Sequence, residues 1–181
     1  MRVDLNDECK LVEESFARLF QAESTPDRLR AAEAGATGIS GHDAALWSAL
    51  AAAGAPTMRS DGMSLLDAVI VAELAGRHLA SVPLVETIAA ARILGEIDQP
   101  ETRSWLERTR AGDAVVCAAL APATAEPALV AGGAVADAVI ARDGDTLYLV
   151  TDACVGSPPN MGNTAYGYWT LDGSLGTRMA L

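Results

Sequence analysis

The chain has 181 residues, 50% of them hydrophobic and 20% charged. That balance excludes an intrinsically disordered chain, which is poor in apolar residues and dense in charge. Thirteen Lys and Arg stand against 24 Asp and Glu, a net charge of −11, so no basic surface can neutralise the phosphates of nucleic acid or of an anionic membrane.

Aromatics are only 4% of the chain, so the core must be built from Ala, Leu, Val and Ile. Cys9, Cys117 and Cys154 are too far apart for a metal-ligand spacing, and three reduced thiols in a cytoplasmic protein are expected. The first twenty residues are charged throughout and lack the apolar stretch of a signal peptide. No apolar run of about eighteen residues exists, so no transmembrane span is expected.

The first two-thirds of the chain reads as helix. Val12, Phe16, Leu19 and Phe20 place one apolar face on a helix over 5–20. A short helix over 26–34 starts with Pro26 in its first turn. Leu46, Trp47 and Leu50 mark a helix over 43–53, ended by Gly54 at C′ and by Pro56. Ser64 and Asp67 have capping-box spacing and open a helix to about residue 80. Pro83 breaks it. The next helix, 84–97, is almost wholly apolar between Ile88 and Leu94 and is expected at the centre of a helical bundle. A last helix, 101–110, carries Trp105 and Leu106 and ends at Gly112.

After Asp113 the period changes. Short runs over 114–121, 138–142 and 146–151 read as strands. Asp143-Gly144 between the last two predicts a hairpin with a type I′ turn, positive in φ at both central residues. One more strand is expected within 166–171, where Tyr166, Tyr168 and Trp169 are either core alternation or an exposed patch facing a partner. The fold class is therefore α+β, an N-terminal all-α helical bundle over 1–112 followed by a small antiparallel β domain over 113–181.

Four stretches, in this order, resemble the acyl-CoA dehydrogenase family. They are Leu46-Trp47-Ser48-Ala49-Leu50 with Gly54, then Glu73-Leu74-Ala75-Gly76-Arg77-His78-Leu79 with Pro83. Ala111-Gly112-Asp113 precedes the first strand, and Ala136-Asp137-Ala138-Val139-Ile140 pairs with Leu147-Tyr148-Leu149-Val150. The resemblance implies an FAD-dependent flavoprotein that desaturates an acyl-CoA thioester between Cα and Cβ, with an electron-transfer flavoprotein as the usual acceptor.

It also implies site residues. Glu86, Thr87, Ala90 and Leu94 fall where the family lines its acyl pocket, although Ala90 and Leu94 also read as ordinary core. The flavin-side signature after the first strand falls on Leu120, Ala121 and Thr124. There the family's hydroxyl and acid are replaced by Leu120 and Ala121. No catalytic base and no metal ligand can be assigned, because the family's base lies in a C-terminal bundle beyond Leu181. The expected activity is therefore that of one part of such an enzyme, inactive alone, with FAD shared with or supplied by a complementary chain. The alternative is a structural or regulatory relative that binds no flavin. An oligomer is expected, because surfaces that the bundle would cover are apolar.

Individual polar residues have plainer readings. Glu73 and Arg77 have i,i+4 spacing and form a surface pair. His42 is expected in solvent. Gly132-Gly133 is a turn and not a phosphate cradle, because no helix follows it.

Overall fold

The computed structural model describes residues 5–35, 39, 41–122, 126–151, 154–172 and 176–179. Six helices come first: α1 (Asp7–Glu23), α2 (Pro26–Glu33), α3 (Ala44–Ala52), α4 (Leu65–Arg77), α5 (Leu84–Glu96) and α6 (Pro100–Ala111). Seven strands follow among the described residues: β1 (Val116–Pro122), β2 (Ala128–Val130), β3 (Ala138–Asp143), β4 (Thr146–Thr151), β5 (Cys154–Gly156), β6 (Gly167–Trp169) and β7 (Gly176–Met179). The α+β class is as expected from the sequence.

The helix starts follow capping chemistry. An orphan N–H in the first turn needs an acceptor, and a short polar side chain supplies one. Asn6 accepts from Cys9 N at 2.8 Å. Ser64 and Asp67 form the expected reciprocal box. Gly112 ends α6 in the left-handed region at φ 82°, and its carbonyl accepts the Trp47 indole N–H at 3.1 Å. Trp47 thereby ties α3 to the point where the chain passes from helix to strand.

Asp43 caps α3 by accepting from Ala45 N and Leu46 N, and it also takes two hydrogen bonds from the Arg28 guanidinium, at 3.0 and 2.7 Å. Burial pushes its carboxyl up, but the bonds from Arg28 and from the Leu46 N–H outweigh burial and hold it below the usual carboxylate range. The folded pKa is thus below an unfolded value of about 3.9. The stability this group contributes is full above about pH 4 and is lost as pH falls through its folded pKa. Asp43→Asn is therefore expected to destabilise the chain at neutral pH, with the gap to the parent protein closing below about pH 4. Urea midpoints measured from pH 7 down to about 3 check this.

The strands form two sheets. The larger has the order β1-β3-β4-β7 and the smaller β2-β6-β5. Val139, Ala141 and Val150 on one face of the larger sheet pack with Trp47, Val130, Trp169 and Leu171. Ala138, Ile140, Leu149 and Met179 on the other face pack with Ala90, Leu94 and Ile97. The larger sheet is thus a middle layer, with α5 and α6 on one side and the smaller sheet on the other. Asp137 pins its end: Val115 N donates to the Asp137 carboxylate at 2.8 Å, and Asp137 N donates to Val115 O. This is the local reason for the Ala136-Asp137 pair before β3.

Several expectations are refined. The sheets are antiparallel except at β1 and β3, which run parallel, because the chain crosses through β2 in the other sheet before returning. Register sets Asp143 opposite Thr146, so Gly144 and Asp145 are the central turn residues. Of these only Gly144 has positive φ, at 56°, which fits a type II′ turn with glycine first and not type I′. Helix α5 is not at the centre of a helical bundle. Its first turns, through Leu84 and Ile88, join the helical core, while Ala90 and Leu94 lie on the larger sheet, and Val85, Ala89, Arg92 and Glu96 form an exposed face. His42 is half-buried, not solvated, because Asp43 N donates to Ser81 O and draws this segment onto the α4–α5 link; burial lowers its pKa against the opposing pull of Asp43.

All three thiols are free, with Cys9 and Cys117 buried and Cys154 exposed. Among the described residues no helix is long and apolar enough to cross a membrane, and no group of His, Cys, Asp or Glu could hold a metal ion.

Candidate functional site

A cleft of about 390 Å³ opens where the helical and β segments meet. One wall is the end of α4, with Ala72, Ala75, Gly76 and Leu79. The α4–α5 link, Ser81 to Pro83, and the start of α5 form the next wall, with Val85 and Glu86. Gly132 and the segment from Gly162 to Tyr166 close it from the β side.

Three backbone features shape this cleft. Leu79 follows α4 at φ 50°, a left-handed conformation that costs a leucine roughly 1–2 kcal/mol. Its side chain stands at the cleft wall and is 65% exposed. Gly132, at φ 72°, leaves no room for a side chain; a Cβ there would lie 2.6 Å from Pro83 Cβ and 2.8 Å from Cys117 Sγ. Gly41 meets the opposite loop, and a Cβ on it would lie 1.9 Å from Asn163 O. That loop is held by Asn160, which accepts from Thr164 N at 3.0 Å and donates to Thr164 O at 2.9 Å.

Electrostatically the cleft is apolar with an acidic edge. Glu33 and Glu86 line it, and no Lys, Arg or His does so among the described residues. Burial drives the Cys117 thiol well above its ordinary pKa, and Glu86 and Asp137 push it the same way. Cys117 is therefore an inert packing group behind Gly132.

The expected site residues separate in space. Glu86 lines the cleft. Thr87 is fully buried, and its hydroxyl makes no hydrogen bond among the described residues. Ala90 and Leu94 lie in the core against the larger sheet and do not line the cleft. Leu120 and Ala121 belong to β1 by their backbone, and their side chains, like all of Thr124, lie outside the described residues. Glu73 and Arg77 form the expected surface pair, at 2.6 Å with both side chains well exposed. Tyr168 is on the outer face of the smaller sheet and Trp169 on its inner face, so core alternation accounts for the second and exposure for the first.

Sequence reasoning missed Leu79, Gly41 and Asn163. Gly and Asn favour positive φ and carried a weak signal; a leucine in that conformation carries none.

Comparison with solved structures fits this architecture. A variant of the Tcur3481-Tcur3483 steroid ACAD aligns over 96% of this chain at 24% identity, with a TM-score of 0.76. The ChsE4-ChsE5 complex from Mycobacterium tuberculosis aligns over 98% at 21% identity, with a TM-score of 0.77. The chain has an acyl-CoA dehydrogenase-type fold. PigA with FAD and proline shares it at 17% identity and a TM-score of 0.69. The chain spans 57% of the length of the first two matched chains and 60% of the third. No family model matches the sequence, and no curated protein matches it.

Proposed function

We propose that this chain is one part of an acyl-CoA dehydrogenase-like flavoprotein, contributing to FAD-dependent α,β-desaturation of an acyl-CoA thioester together with a complementary chain. The observation that carries the reading is the fold itself, aligned over nearly the whole chain with members of that fold but over only 57% to 60% of theirs. Two of the similar structures are named for pairs of proteins, Tcur3481-Tcur3483 and ChsE4-ChsE5, which supports a heteromeric arrangement.

The flavin does not fit the described residues of this chain alone. Its pyrophosphate needs N–H donors or positive charge. The cleft is lined by two carboxylates and no basic group. The amides of the turn beside it are already used: Gly133 N donates to Val130 O, Ala134 N to Ala165 O and Val135 N to Gly132 O. From residue 113 onward the only basic residues are Arg142 and Arg178. The complementary chain would therefore supply the phosphate contacts and the base that removes the α proton. This chain would supply an apolar, water-excluding wall for the acyl group, with Glu86 at its edge. No step in that chemistry is assigned to a residue here.

The non-catalytic reading draws on one observation, the replacement of the flavin-side hydroxyl and acid by Leu120 and Ala121. Chromatography separates the two. The isolated chain, loaded with FAD on a sizing column, is expected to elute colourless. Co-expressed with the product of a neighbouring reading frame that encodes a helical bundle, it is expected to elute as a yellow complex, bleached by an acyl-CoA. A complex that forms without flavin supports the non-catalytic role, and flavin held by the isolated chain rules out a shared cofactor site.

A further inference from the structure

The segment 157–166, whose second half closes the cleft from the β side, is built as a unit. Ser157 Oγ donates to Tyr166 O at 2.8 Å and ties its two ends together. Between them Asn160 spans Thr164, accepting from its N and Oγ1 at 3.0 Å each and donating to its O at 2.9 Å. Pro158 and Pro159 fix φ on the way in. Among the described residues, the hydrogen bonds of this strap stay within it or go to the β side, where Ala134 N donates to Ala165 O.

Its meeting with the helical segment is of another kind. A Cβ on Gly41 would lie 1.9 Å from Asn163 O and 3.0 Å from Ala165 N, so backbone rests directly on backbone. Gly41 and Asn163 both line the cleft, and this contact is where its two walls join. Gly41 is itself held to α2 by its N–H to Ala32 O at 2.9 Å. The strap is therefore seated there by shape.

Strain gathers at the same place. Among the described residues only Leu79 and Asn163, at φ 50° and 46°, are left-handed without being glycine, and both line this cleft. Such strain collects at ligand clamps and switches, where the surrounding structure holds it. Leaving the seat frees Asn163 to relax. One end of the strap is pinned, because a Cβ on Gly167 would meet Gly133 C at 2.5 Å. The other end is Gly156, at φ 156° beside the register shift between β5 and β6, with nothing within 4 Å of an added Cβ. A stiff segment with a glycine at its free end moves by turning there.

We propose that residues 157–166 form a latched strap over the cleft, seated on Gly41 and pivoting at Gly156, whose release admits the acyl group. The inference deepens the proposed function and rests on its reading of the cleft as an acyl wall, but its test needs neither flavin nor a complementary chain.

The test follows the strap directly. In a Cys154→Ser background, which removes the exposed thiol, spin labels are placed at two exposed sites, Ala31→Cys on α2 and Met161→Cys on the strap. Double electron–electron resonance gives the distance between them. Gly41→Ala is expected to move the distribution to longer distances, because the new methyl takes the place of Asn163 O. Gly54→Ala is the control, also left-handed but with nothing within 4 Å, and is expected to leave it unchanged. Stopped-flow uptake of the neutral apolar dye Nile red then reads access. In the parent chain the rate is expected to level off with dye concentration, because opening limits it. Gly41→Ala is expected to raise that limit by about tenfold or more, the scale on which an overpacked contact shifts a balance. Gly76→Leu, which fills open space on the cleft wall, is expected to reduce the dye signal. Circular dichroism checks folding, and should Gly41→Ala not fold, Gly156→Ala, which strains the pivot, takes the same two measurements. Distances unmoved by the folded variant, equal movement in Gly54→Ala, or a strap that moves without changing dye entry overturns the inference. So does a dye signal that Gly76→Leu leaves untouched, since the cleft would then admit no apolar ligand for the strap to gate. A flavin-bearing pair whose strap stays fixed overturns this inference and leaves the proposed function standing; a moving strap on a chain that forms no such pair does the reverse.

Discussion

Trp169→Ala is expected to lower the free energy of unfolding by about 3–5 kcal/mol, the range for truncating a buried large aromatic side chain. Trp169 is 1% exposed and sits among Trp47, Val130, Val139, Val150 and Leu171, where the two sheets face each other. Its indole N–H also donates to Gly133 O at 2.7 Å. Truncation therefore removes the filling between the sheets and leaves a buried carbonyl without its donor. Total stability for a domain is only about 5–15 kcal/mol, so the loss is a large share. Trp169→Phe separates the two effects. It keeps most of the apolar volume and loses the hydrogen bond, so about 1–3 kcal/mol is expected from the unpaired carbonyl. Urea unfolding followed by far-ultraviolet circular dichroism gives both values. A Trp169→Ala variant within about 1 kcal/mol of the parent would mean that the space between the sheets collapses without cost.

This prediction rests on a residue whose role was half legible in the sequence. Tyr166, Tyr168 and Trp169 stood out as a cluster, and period-two alternation allowed one face to be core. What could not be read was β2, the strand that Trp169 pairs with through Ala128. Strands β2 and β5 have three residues each and β7 has four, too short for any periodicity to separate from chance. The helices after the first were legible because local start and stop signals bound them: Pro26 and the Ser64–Asp67 box at starts, Gly54, Pro83 and Gly112 at ends. Those signals act within a few residues and need no knowledge of the fold.

The cleft was much less legible, for a physical reason. It is made where segments distant in sequence meet, and its wall positions are mostly Ala, Gly and Leu, which look the same in a core as in a binding wall. Glu86 was legible only through the family resemblance, which places the start of this helix at the acyl pocket; a carboxylate in a first helical turn is ordinary. Ala90 and Leu94, four residues apart, are on the face of α5 that turns toward the sheet. Sequence spacing put them on one side of the helix but could not say which layer that side would meet. The pairing of β1 with β3 has the same origin. A parallel neighbour depends on a crossover through another sheet, and no local pattern encodes it.

The second large effect is expected at the seam between the two segments. Gly132→Ala combines two costs. Its φ of 72° is left-handed, where alanine is disfavoured by roughly 1 kcal/mol. The new methyl would also meet Pro83 and Cys117 at under 3 Å, and overpacking of this kind costs about 1–3 kcal/mol. The total expected loss is about 2–4 kcal/mol, or very roughly 5–15 °C in Tm for a chain of this size. Gly144→Ala is the matched control. Its φ of 56° is also left-handed, but nothing lies within 4 Å of the added carbon, so only the conformational cost of about 1 kcal/mol is expected. The difference between the two variants is the cost of crowding the seam. Cys117→Ala then reports how that crowding is shared. Removing Sγ takes away one of the two close contacts, so the double variant should recover part of the loss, a coupling of about 0.5–3 kcal/mol. Equal effects of Gly132→Ala and Gly144→Ala in urea unfolding would show that the helical and β segments are not held together at Pro83 and Cys117, and the cleft between them would then lack the fixed wall that its binding role requires.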